Sequence, residues 1–71
     1  MPRKRRQLIA ELKKHGFIYT SKGKGSHRLF TNPETQVSAT MSGHDGDDAP
    51  RWLENHVRDK IRESEAKKAS M

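Results

Sequence analysis

The sequence predicts an α+β fold of order α-β-β-β-α: a three-stranded antiparallel meander with two helices packed on one of its faces. Three observations carry this. Apolar residues recur at helical spacing near each end of the chain, with Leu8, Ile9 and Leu12 early and Ala49, Leu53, Val57 and Ile61 late. Between them lie three short runs rich in β-branched and aromatic residues, separated by Gly, Pro and Asn. The third run alternates Val37, Ala39 and Met41 with Gln36, Ser38 and Thr40, as a sheet with one buried and one wet face requires.

The first helix is expected over residues 3–15. Pro2 suits its start, and Lys13, Lys14 and His15 complement the dipole in its last turn. Gly16 follows as a residue free to take positive φ. Strands are expected over 17–22, 26–31 and 36–41. A hairpin turn at Gly23-Lys24-Gly25 joins the first two, and an Asn32-Pro33 turn joins the second to the third. A loop over 42–48 leads to a second helix, capped by Asp47 or Asp48, with Pro50 in its first turn. Residues 63–71 lack apolar periodicity. The expectation is therefore one domain over 1–62 and a frayed polar tail over 63–71.

Seventy-one residues allow one small domain with a thin core. The chain has no cysteine, which removes disulfides and thiolate metal sites. No apolar run reaches the roughly 20 residues that span a bilayer, so a cytoplasmic protein without a membrane partner is expected; it is also expected to be monomeric when free. The charge is uneven. Residues 1–31 hold nine Lys/Arg and one acid, net +8; residues 32–71 hold six against eight, net −2, for +6 in all. Such a basic half is the electrostatic footprint of a polyanion binder.

The densest part of that half is Lys22-Gly23-Lys24-Gly25-Ser26-His27-Arg28. Turn lengths pair Tyr19 with Leu29 and His27 with Thr40. Ile18, Phe30, Val37, Ala39 and Met41 then share the core face, while Tyr19, Ser21, His27, Leu29, Ser38 and Thr40 share the open one. This puts Arg28 on the core side and Leu29 outside; a bulge at Gly25 would instead reverse the second strand.

An imidazole titrates near neutral pH and can relay a proton between oxygens. Beside RNA, whose 2′-OH lies next to each phosphodiester, His27 could cleave without a metal. Lys22, Lys24 and Arg28 could hold the phosphate and stabilise its developing charge. His44, after the third strand, is a candidate accessory acid or RNA ligand, and Tyr19 a candidate base-stacking residue. The stretch His44-Asp45-Gly46-Asp47-Asp48 lacks calcium-loop spacing, and neither a metal nor a cofactor is assigned. Trp52 reads as a rim residue of the core, and His15 and His56 as helical positions with no chemistry.

Arg6-Gln7-Leu8-Ile9-Ala10-Glu11-Leu12-Lys13-Lys14-His15-Gly16-Phe17, followed by Lys24-Gly25-Ser26-His27, resembles the start of the HicA (YcfA-like) toxins. The resemblance continues through Arg28-Leu29-Phe30, the Asn32-Pro33 turn and a third-strand loop with His44, covering about residues 5–62. It implies a double-stranded-RNA-binding-like fold and an mRNA interferase, a ribonuclease held in check by a HicB-type antitoxin. The family's catalytic His maps onto His27, in a Gly-Ser-His motif that includes Ser26. The chain departs from the family in having Met41-Ser42-Gly43 before His44, where a Pro is usual, and an acidic run after it. A non-catalytic duplex-RNA-binding module and a basic face that docks an acidic partner are the competing readings.

Overall fold

The computed structural model describes residues 3–22, 27–44 and 46–70, without the side chains of Ser21 and Lys22. Its elements are α1 (Arg5–Lys14), β1 (Ile18–Lys22), β2 (Arg28–Thr31), β3 (Ser38–Met41) and α2 (Arg51–Ala69), with the three strands in the antiparallel order β1-β2-β3. The α-β-β-β-α meander is the fold expected. Part of the Lys22–Arg28 stretch, residues 23–26 with Lys24, Ser26 and the Gly25 bulge, lies outside the described residues.

α1 ends where its apolar stripe and Gly16 say it should. Gly16 takes φ +88°, the Phe17 N–H donates to the Leu12 carbonyl at 2.9 Å, and the Gly16 N–H to that of Lys13 at 3.1 Å. This double closure satisfies carbonyls the helix leaves open. It also drops Phe17 fully into the core beside Leu8, Leu12, Leu53 and Met41.

Asn32 secures the same corner from the far side. It is buried, donates from Nδ2 to the His15 carbonyl (3.1 Å), and accepts at Oδ1 from the backbone N–H groups of Glu34 (2.9 Å) and Thr35 (3.3 Å). A buried amide is stable only when its polar atoms are matched in this way.

The two helices run side by side in the same direction. At their beginnings, the Ala49 N–H donates to the Arg3 carbonyl at 2.7 Å and Lys4 Nζ pairs with Asp48 at 2.6 Å. At the far end of α1, His15 Nδ1 lies 3.3 Å from Glu65 on α2. One apolar core joins both helices to the sheet through Phe30, Val37, Ala39 and Met41.

Four expectations need correction. Neither Asp47 nor Asp48 caps α2: Pro50 occupies that position, and Asp48 faces Lys4 instead. The residues expected to fray from 63 onward are helical through Ala69, because Ser64 is buried and its hydroxyl lies 2.8 Å from that of Thr35. The pairing of β2 with β3 is displaced by two residues, with Arg28 opposite Met41 and Leu29 opposite Thr40; an even displacement leaves every side chain on its expected face.

The pairing of β1 with β2 is displaced by one up to Tyr19, then passes an irregularity between Tyr19 and Ser21. An odd displacement exchanges faces. Ile18, expected in the core, is 52% exposed opposite Thr31. Tyr19, expected on the open face, lies opposite Phe30 on the helix side, its ring edge-on to Phe30 at 5.8 Å. Thr20 turns outward at the irregularity, and its hydroxyl reaches the Leu29 carbonyl and the Thr31 hydroxyl, both at 3.1 Å.

Candidate functional site

β2 positions the site. Arg28 faces the helix side opposite Met41, and Leu29 faces the open side opposite Thr40. The same alternation, if it extends to the residue before the strand, assigns His27 to the open face. His27 is exposed and directly precedes the strand. Beyond it, the floor of the open face is built from Leu29, Thr31, Ser38 and Thr40, with the Thr31 and Ser38 hydroxyls 2.8 Å apart.

The structure brings His44 to the same end of the sheet. Arg28 opposes Met41, so the chain leaving β3 passes beside the start of β2. The half-buried Arg28 guanidinium reaches the Gly43 carbonyl at 3.5 Å. Gly43 takes φ +80°, and a Cβ there would stand 2.7 Å from the Arg5 guanidinium. Two arginines from different elements thus bracket the residue before His44. The exposed His44 is further placed by its carbonyl, which accepts from the Asp47 N–H at 3.0 Å.

The acidic run after His44 is tied to the start of α1. Lys4 pairs with the Asp48 carboxylate, and Arg5 donates to the Asp48 carbonyl at 2.7 Å. One of the carboxylates beside the site is thereby neutralised by a lysine 44 residues away in sequence.

Of the other candidates, Lys22 is in β1 opposite Arg28, which brings its backbone to the start of β2. Tyr19 is half exposed but is on the helix side of the sheet, away from the open face that His27 borders. Among the described residues, no three His, Asp or Glu side chains gather in a way that could hold a metal ion.

Sequence reasoning passed over His56. On α2, it is half-buried beside the outer edge of β3, and its Nε2 accepts from the Thr40 N–H at 3.2 Å. Desolvation lowers its pKa; nearby Lys60 lowers it further, and Asp59 opposes them. The only available signal was its position, one residue before Val57 of the apolar stripe, on the flank of the buried face.

A family model described as the HicA toxin of bacterial toxin–antitoxin systems matches residues 5–67. No curated protein matches the chain. Among the described residues, no helix is long and apolar enough to cross a membrane.

Proposed function

The chain belongs to the HicA toxin family, and from that premise we propose that it is a cytoplasmic endoribonuclease that cleaves mRNA without a metal, with His27 as general acid/base. The observation that carries this reading is the position of His27, exposed directly before β2, whose alternation assigns it to the side of the sheet that the helices leave open.

In the proposed reaction, His27 takes the proton from a ribose 2′-OH. The freed oxygen attacks the adjacent phosphorus, and the bond from phosphorus to the 5′ oxygen breaks. The imidazolium so formed, or His44 at the same end of the sheet, protonates the departing oxygen. The products are a 2′,3′-cyclic phosphate and a 5′-OH end. Lys22 and Lys24 hold the phosphate and offset the charge it gains, and Ser26 adds a hydroxyl; Arg28, expected to join them, is on the helix side, where its guanidinium reaches the Gly43 carbonyl beside His44. A HicB-type antitoxin would neutralise the toxin, which acts as a monomer when free.

The test is induction of the wild-type and His27→Ala chains in bacteria, together with incubation of each purified protein with RNA in EDTA. Arrest of growth and 5′-OH fragments from the wild type alone are expected. Equal arrest by both chains would remove His27 from the mechanism. Tight RNA binding without fragments would make the protein a non-catalytic RNA-binding module.

A further inference from the structure

The half of the chain that is net acidic carries a basic stripe. Arg51, Asn55, Arg58 and Arg62 follow one another along α2 at intervals of four, three and four residues, which stacks them on one face of the helix. All four are exposed. The face they occupy lies away from Leu53, Val57, Ile61 and Ser64, the residues α2 buries. It is a flank of α2 that, three residues past Arg62, brings Glu65 to His15 at the end of α1, on the side of the sheet away from the open face bordered by His27.

Two features describe this stripe, the first of which it shares with Arg6, Lys13 and Lys14 of α1. The first is pairing. Glu11, Glu34, Asp48, Glu63 and Glu65 are each engaged by a cationic side chain or His15 elsewhere. Among the described residues, Arg51, Arg58 and Arg62 make no ion pair. The second is shape: Arg51, Asn55 and Arg58, with Glu54, line a shallow depression along the helix. Arginine presents a planar fork of donors suited to phosphate oxygens, and the Asn amide adds another donor.

We propose that this face of α2 is a second RNA-binding surface, which grips the phosphate backbone without reading sequence. The inference rests on the reading of the chain as an RNA-acting toxin and adds a site outside the catalytic face. The stripe is about 16 Å long at 1.5 Å per residue. A duplex strand carries a charge about every 3.4 Å, so the stripe runs beside several phosphates. RNA is favoured over an acidic protein because the stripe holds no apolar side chain. Stable protein interfaces centre on buried apolar or aromatic anchors, whereas phosphate contacts need only cations and amides. Trp52, expected at the rim of the core, is instead 60% exposed and flanks the stripe off its line, where its ring could stack on a base.

The experiment uses the full chain carrying His27→Ala, so that RNA is not consumed, with and without Arg51→Gln, Arg58→Gln and Arg62→Gln together. The probe is a 20-base-pair duplex RNA, titrated over a range of salt, with poly-glutamate as a second probe. The triple substitution should weaken RNA binding by about tenfold or more and make the slope of log affinity against log salt shallower by about 2.7. The matching Arg→Lys triple should keep most of the salt dependence, and thermal melting should be unchanged because all three side chains are exposed.

Unchanged RNA affinity and slope would overturn the proposal. So would loss of poly-glutamate binding with RNA binding intact, which would assign the stripe to an acidic protein. Fragment production by the chain with native His27 is scored separately. Its absence, with the RNA effect of the triple preserved, would remove the catalytic reading and leave this one standing.

Discussion

The Nε2 atom of His56 accepts a hydrogen bond from the backbone N–H of Thr40 at 3.2 Å, so a side chain on α2 closes part of the outer edge of β3. An edge strand presents unpaired backbone groups that invite pairing with another chain. Here one of them is engaged from within the molecule. The bond needs a neutral imidazole, because a protonated ring has no acceptor.

This relationship predicts a pH dependence. Desolvation and Lys60 lower the pKa of folded His56 below 6.5. The unfolded chain therefore takes up the proton first as pH falls. The stabilising contribution is present above the unfolded value and is lost as pH drops through the lowered folded one. Between pH 7.5 and 5, the wild type should lose more thermal stability than His56→Gln. Parallel melting curves across that range would rule this out.

Gly43→Ala should destabilise the fold by about 1–3 kcal/mol, because it combines a strained φ with a collision. The φ is +80°, and the new methyl would displace the Arg5 guanidinium from its bond to the Asp48 carbonyl. Adding Arg5→Ala should relieve the collision but not the backbone strain. The interaction energy from urea denaturation of the four chains measures the difference, and strict additivity would show that the two residues do not meet.

Asn32→Ala should cost about 1–3 kcal/mol, since it strands buried backbone groups that the amide now satisfies. Asn32→Asp keeps the acceptor for Glu34 and Thr35 but loses the donor to His15. It should fall between wild type and Asn32→Ala in urea midpoint. An Asp variant as weak as the Ala variant would mean that the link to α1 carries the whole effect.

Leu53→Ala and Ile18→Ala separate the observed register of β1 from the expected one. Leu53 is fully buried and should cost about 2–5 kcal/mol on truncation. Ile18 is half exposed on the open face, and its loss should cost about 0.5 kcal/mol or less. A large effect at Ile18 would return it to the core and reverse the faces assigned to β1.

The candidate site could be proposed from the sequence because it rests on local chemistry. Glycines, cations and a histidine crowd into one stretch, and the faces of β2 survived a register displaced by two because side chains repeat every two residues. Tyr19 was misplaced because β1 slips by one, and nothing in the composition of Ile18-Tyr19-Thr20-Ser21 marks the irregularity between Tyr19 and Ser21. The arginine stripe was hidden by averaging. The acids that make residues 32–71 net negative are spread over loops and along α2, with Glu54 and Glu65 bordering the stripe itself, so the sum says nothing about where charge is left unpaired.

The sequence by itself determined the element order, the stop at Gly16 and most of the core, because hydrophobic period and turn chemistry act over a few residues. Only the tertiary structure decided which side of the sheet Ile18 and Tyr19 take, that Asp48 pairs with Lys4 rather than capping α2, and that His56 meets Thr40. Each of those joins groups on separate elements. Their distances are set by how the helices and strands pack, which no local pattern encodes.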